Sequence, residues 1–256
     1  MHNAAFRELE LDYAYVPLRT TARRLKEAVR SITTLGFAGV NVTVPFKRAV
    51  MRHMDKLTDT AKAVGAVNTI HPEGNKLIGE NTDAPGLTAA LSAAGFRPRG
   101  KNVLVIGAGG AARAAVWALA SAGAIDIIIA NRTVSKAKKL AREMARRGSM
   151  IQATGLDSLE DFDLLDSRQL VVNSTPLGLK GETLEYDIDS TQPDCIHFDL
   201  AYGDKLTPFL KQASAKKRPI IDGRYMLVHQ GALSFKLFTG RKAPLETMAR
   251  AIGLKV

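Results

Sequence analysis

The stretch "NVLVIGAGGAARAAVWALASAG", residues 102–123, narrows the possible folds more than any other part of this chain. It opens as a short run of apolar residues, turns at Gly107, and continues as a helical pattern. Ala111, Ala112, Ala115 and Ala118 give that helix a face of small side chains. Strand, glycine turn and helix in this order make the G-x-G-x-x-A form of a dinucleotide-binding turn. Gly107 permits the turn, Gly109 lets the backbone come close to a pyrophosphate, and Ala112 lets the helix lie near the sheet. The first amides of the helix and the positive end of its dipole then face the phosphates.

From residue 101 onward, apolar runs of strand length alternate with helical patterns: "NVLVIG", "IDIIIA", "MIQA", "LVVNS", "CIHFDL" and "PIID". This predicts an α/β fold with a doubly wound, mostly parallel sheet. The second run is followed by Asn131, Arg132, Thr133, Ser135 and Lys136. An NAD site usually carries a carboxylate there for the ribose 2′-hydroxyl. A guanidinium and an amine suit a 2′-phosphate instead, so the expected cofactor is NADP(H). The plainer reading, a basic helix start on a basic protein, stays open on these residues alone.

The first third of the chain reads differently. Residues 20–36 predict a helix, with Leu25, Ala28, Val29, Ile32 and Leu35 on one face, Thr20 or Thr21 capping the start and Gly36 the end. In "AGVNVTVPFK", residues 38–47, Val40, Val42 and Val44 alternate with Asn41 and Thr43, the pattern of a half-buried strand that Pro45 stops. Residues 66–83 predict two short strands around a turn at "PEGN". The Gly and Pro of residues 92–101 predict a linker into a second domain.

Three polar clusters precede that linker: "NVTVPFK", "GAVNT" and "GENTD". Chemistry on a nicotinamide needs an acid/base group, a neighbour that orients it and neutral hydrogen bonds for the rest of the substrate. Lys47 is the candidate acid/base and Asp83 its ion partner, with Asn41, Thr43 and Asn68 available to substrate hydroxyls. Spacing alone equally allows a surface lysine and a helix-capping aspartate.

Composition removes other classes. The chain has 256 residues and no run of 18 apolar ones, so no membrane span is expected, and the first residues lack a signal peptide's apolar region. The single Cys195 fits a reducing cytoplasm. The net charge of +11 is interleaved with acidic residues, without a nucleic-acid motif, so a small anionic substrate is expected rather than nucleic acid. His53, His71 and His197 are scattered without metal-ligand spacing, and no metal is expected.

Over nearly its whole length the sequence resembles the shikimate dehydrogenases. The resemblance rests on "MHNAAF", "GVNVTVPFK", "GAVNT", "GENTDAPGL", "VLVIGAGGAAR", "NRTVSKA", "VVNSTPLG", "DLAYGDKLTPFL" and "DGRYMLVHQGALSF". It implies NADPH-dependent reduction of 3-dehydroshikimate to shikimate, in aromatic amino-acid and chorismate synthesis. It also implies a substrate domain of residues 1–83 with returning helices 224–256, and a Rossmann-like domain of residues 84–223. Lys47 and Asp83 become the catalytic pair by resemblance, with Thr43, Asn68, Asp83, Tyr202 and Gln230 on the substrate. Gly107, Ala108, Gly109, Gly110, Ala111 and Ala112 would hold the pyrophosphate. Asn131, Arg132, Thr133 and Lys136 would hold the 2′-phosphate, Lys136 standing as a point charge where the family often has an arginine. Thr175, Leu200, Gly223 and Met226 would border the ribose and nicotinamide. His2 and His229 lie in matching motifs without a chemical step. A monomer or homodimer is expected. The alternatives are a quinate/shikimate dehydrogenase with broader cofactor use, or a shortened NADP-binding homologue with impaired turnover.

The resemblance further implies a strand, a glycine-proline turn and a serine pair ahead of Met1-His2-Asn3, the serines bonding the substrate carboxylate. The expectation is a natural polypeptide longer at this end. Without that strand, its neighbours should show unpaired backbone and exposed apolar side chains.

Overall fold

The computed structural model describes residues 1–145, 148–178, 182–184 and 186–254. In chain order the elements begin with α1 (His2–Glu8), α2 (Leu25–Thr34), β1 (Val40–Asn41), β2 (Lys56–Leu57), α3 (Asp59–Val64), β3 (Thr69–Glu73), β4 (Lys76–Glu80) and α4 (Asp83–Ala93). They continue with β5 (Asn102–Ile106), α5 (Gly110–Ser121), β6 (Asp126–Ala130), α6 (Val134–Met144), β7 (Met150–Thr154), α7 (Phe162–Asp166) and β8 (Leu170–Asn173). The last are β9 (Ile196–Asp199), α8 (Pro208–Ala215), β10 (Ile220–Ile221), α9 (Gly223–Thr239) and α10 (Leu245–Arg250). Contacts divide the chain into two compact units, Met1–Gly86 with Leu227–Val256, and Leu87–Met226.

The first unit holds a mixed sheet in the order β1-β3-β4-β2. β3 and β4 form the hairpin expected around "PEGN", with Gly74 at φ +58 in its turn. β1 lies antiparallel to β3, and β2 parallel to β4. Helix α2 turns Leu25, Val29 and Ile32 into a core with Val50, Val67, Ile70 and Leu77. Its apolar face is narrower than the pattern suggests, because Ala28 and Leu35 are exposed. It starts at Leu25, after a 3-10 turn over Ala22–Arg24, and Thr21 supplies no side-chain cap bond. Its end follows the prediction: Gly36 is left-handed, and the Gly36 and Phe37 amides return to the Thr33 and Ile32 carbonyls.

The strand read from "AGVNVTVPFK" is shorter than its alternation predicts. Only Val40 and Asn41 pair as strand, because the Phe46 N–H donates to the Thr43 carbonyl across a tight turn at 3.0 Å. That turn carries Val44 outward, leaving it 77% exposed instead of in the core. Tyr13, Val16 and Leu18 are exposed, and residues 10–20 form no helix or strand. A groove of about 360 Å³ is lined by Phe6, Asp12–Tyr15, Gly36–Gly39 and Phe238.

The second unit holds a parallel sheet in the order β10-β9-β8-β5-β6-β7, every strand from an apolar run recognised in the sequence. Strand order reverses between β5 and β8, the switch point where α/β sheets bind nucleotides. Val103, Leu104, Val105, Val171, Val172 and Phe198 are fully buried, as strands covered on both faces require. Residues 92–101, read as a linker, lie inside this unit: Phe96 is buried and the Gly100 N–H donates to the Gly123 carbonyl. Among the described residues, no helix is long and apolar enough to cross a membrane.

Candidate active site

In the first unit, backbone hydrogen bonds stitch the three polar clusters together. The Val42 N–H donates to the Asn68 carbonyl, the Val67 N–H to the Lys47 carbonyl, and the Asn68 N–H to the Glu80 carbonyl. Segments far apart in sequence thus meet at one end of strands β1, β3 and β4. Asp83 stands at the start of α4, where the helix dipole favours a carboxylate, and the Asn81 side chain accepts the Ala84 N–H beside it.

Lys47 Nζ donates to Asp83 Oδ2 at 2.7 Å across a sequence separation of 36. The two side chains are 18% and 7% exposed, so the pair is screened by little water while its amine keeps access to solvent. Asn68 Nδ2 donates to Asp83 Oδ1 at 2.9 Å and reaches Gln230 Oε1 at 3.3 Å. Asp83 is therefore held from both sides, by a cation on one oxygen and an amide on the other. Gln230 comes from α9, and its own Nε2 donates to the Leu227 carbonyl. Lys47, Asn68, Asp83 and Gln230, all singled out in the sequence, are one connected group.

One expectation changes. Asn41 does not offer a free amide, since its Nδ2 donates to Thr69 Oγ1 and its Oδ1 accepts from the Tyr15 hydroxyl. Thr43 lies exposed in the turn before Pro45. The sequence reading also missed two members. Thr82 accepts from Asn68 Nδ2, and its amide donates to Asn68 Oδ1. Gly86 is the other: a Cβ there would lie 2.6–2.9 Å from the Gln230 Cβ, N and Cα. Both sit inside "GENTDAPGL", whose polar triplet and glycine were the available signals.

In the second unit, the glycine turn after β5 has the expected form. Gly107 is at φ +117, and a Cβ there would meet Ser174 Oγ at 2.5 Å. Gly109 has open space where a Cβ would stand, just ahead of the amides of α5, and Ala112 is fully buried against the sheet. Ala108, Gly110 and Ala111 are partly exposed along the same turn. Past β6, the Asn131 side chain donates to the Thr133 carbonyl and braces the loop. Arg132, Thr133 and Lys136 are exposed there, and neither cation makes an ion pair among the described residues. Arg113 of α5, by contrast, is committed to an ion pair with Glu143 of α6. A glycine cradle, a helix N-terminus and two uncommitted cations fit a pyrophosphate and a 2′-phosphate.

The remaining expected cofactor residues, and Tyr202 expected at the substrate, lie at or just beyond the carboxyl ends of β8 to β10. Thr175 follows β8, Leu200 and Tyr202 follow β9, and Gly223 and Met226 open α9. Met226 is buried and Tyr202 is 44% exposed. Among the described residues, no three His, Cys, Asp or Glu side chains group as a metal site. His2 is buried and stacks on Tyr15 at 4.4 Å.

Comparison with known proteins covers both units. Residues 1–70 match the shikimate dehydrogenase substrate binding domain, residues 89–201 the shikimate / quinate 5-dehydrogenase family, and residues 223–252 the shikimate 5'-dehydrogenase C-terminal domain. A shikimate dehydrogenase (NADP(+)) of Methanopyrus kandleri is 42% identical over 98% of this chain and 89% of its own. Shikimate 5-dehydrogenase of Thermus thermophilus, solved with NADP(H) and shikimate, is 34% identical with a TM-score of 0.87 over 98% of this chain and 91% of its own. A ligand-free 5-ketofructose reductase of Gluconobacter is 31% identical with a TM-score of 0.88 over 98% and 91%.

Proposed function

The chain belongs to the shikimate dehydrogenase family, and from that premise we infer that it is an NADP-dependent oxidoreductase reducing 3-dehydroshikimate to shikimate. The reaction belongs to aromatic amino-acid synthesis. The observation that carries the reading is the ion pair of Lys47 and Asp83, joined through Asn68 to Gln230.

When bound, NADPH supplies the hydride that reduces the ketone carbon. Lys47 supplies the proton to the ketone oxygen and takes it back in the reverse direction. Asp83 keeps the amine charged and aimed, and accepts a hydrogen bond from a neighbouring ring hydroxyl. Asn68 and Gln230 present amide groups to the other hydroxyls, Thr43 adds a hydroxyl, and Tyr202 is assigned to the substrate as well. Neutral partners suit this task because a ring of hydroxyls needs donors and acceptors, not charge. Gly107–Ala112 take the pyrophosphate, and Asn131, Arg132, Thr133 and Lys136 the 2′-phosphate. Thr175, Leu200, Gly223 and Met226 border the ribose and nicotinamide. We assign residues 1–83 and 224–256 to the substrate and 84–223 to the cofactor. The enzyme is placed in the cytoplasm, as a monomer or homodimer.

Initial rates with shikimate, quinate and fructose, each with NADP and NAD, test the assignment. The account predicts the highest kcat/KM for shikimate with NADP. A higher value for quinate, or for NAD as cofactor, would move the chain to the broader quinate/shikimate class.

A further inference from the structure

Resting on the cofactor reading above, we propose that the buried Asn173–Asp199 pair is a positioning device for the nicotinamide half of NADPH. The two residues end the neighbouring parallel strands β8 and β9, directly opposite one another in register. Both are fully buried. Asn173 Nδ2 donates to Asp199 Oδ1 at 3.0 Å, which fixes the ends of the two strands side by side.

Each partner then holds a loop. Asn173 Oδ1 accepts from the Thr175 amide at 3.1 Å and from the Thr175 hydroxyl at 2.7 Å. Asp199 Oδ1 accepts the Ala201 N–H at 2.9 Å, and Oδ2 accepts the Thr207 hydroxyl at 2.6 Å. The backbone adds the Leu200 N–H donating to the Asn173 carbonyl at 2.8 Å. Gly223 is pressed against the same point, for a Cβ there would meet the Asp199 and Ala201 carbonyl oxygens at 2.6 and 2.8 Å. The Asn173 side chain therefore sets Thr175, and the Asp199 side chain fixes the loop at Ala201 just past Leu200. The backbone of the same two strand ends meets Leu200 and Gly223; Thr175, Leu200 and Gly223 are residues assigned to the ribose and nicotinamide.

Core packing does not require such a pair. Two apolar side chains would fill the site without the cost of a buried carboxylate. Burial pushes the Asp199 carboxyl up to about 6 against the pull of its hydrogen bonds. A fully satisfied polar network placed at the ligand end of the sheet fixes loop geometry that apolar contacts leave free.

Asn173→Asp keeps the shape and sets two acceptors against each other; Thr207→Val keeps the pair and removes one donor. Each variant is titrated as the full chain with NADPH and with adenosine 2′,5′-bisphosphate, which carries the phosphate-binding half and no nicotinamide. For Asn173→Asp the account expects NADPH affinity to fall about tenfold while the bisphosphate changes by less than about twofold. Thr207→Val should move the same ratio less far, and it carries the test if Asn173→Asp does not fold. A merely structural role lowers thermal stability and leaves the ratio of the two affinities where it was. An unchanged ratio beside a wild type that binds both ligands overturns the proposal alone. A wild type that binds neither overturns the cofactor reading, and the proposal with it.

Discussion

Lys47 and Asp83 illustrate how a common residue type becomes specific through its neighbours. A lysine on a turn and an aspartate at a helix start are unremarkable apart; at 2.7 Å, with Asn68 on the other carboxylate oxygen, they form an oriented acid/base pair. Arg132 is the corresponding single residue on the cofactor side, exposed and without an ion pair among the described residues. Arg132→Ala should raise the KM for NADP by about tenfold or more, the worth of a charge-assisted bond, with a far smaller change for NAD. Equal changes for the two cofactors would remove its role at the 2′-phosphate. Asn41 teaches the opposite lesson: its polar side chain, read as available to substrate, is spent on Tyr15 and Thr69.

Helices α4 and α9 meet at Gly86 and Gln230, and their closeness depends on a missing side chain. Gly86→Ala should push Gln230 away, costing about 1–3 kcal/mol of stability by overpacking. Steady-state kinetics should then show a higher KM for shikimate and an unaltered affinity for NADPH. An unchanged shikimate KM in a folded variant would free Gln230 from the substrate. The elements themselves were unevenly legible. The central strands β5 and β8 are parallel and buried on both faces, so each stands out as an unbroken apolar run. β1 and β2 are two-residue strands whose partners lie elsewhere in the sequence, and the alternation around Val40 overstated the first of them. Lys47, Asn68 and Asp83 were visible as polar clusters following Val and Pro. The Asn173–Asp199 pair was not, because each simply ends an apolar run and only strand register puts them together.

Over the whole molecule, buried histidines set the response to acid. Burial holds His197 down to about 4, despite its bond to the Cys195 carbonyl, and burial with the nearby amino terminus holds His2 down to about 4. The unfolded chain binds protons on both from about 6.5 downward, so stability is lost as pH falls through that window. Asp199, pushed up to about 6, works the other way, its share being largest at low pH and lost as pH rises through 6. The two buried histidines outweigh Asp199, and burial of His229, which also lowers its pKa, adds to the net loss between neutral pH and about pH 4. Urea midpoints across that range should fall, and less steeply in His197→Asn; a flat profile would mean the imidazoles are not held neutral. The most direct measurement of the account is shikimate oxidation by Lys47→Ala beside its affinity for NADPH. Turnover reduced by orders of magnitude with NADPH binding intact is the predicted result, and turnover close to wild type in the folded variant would contradict it.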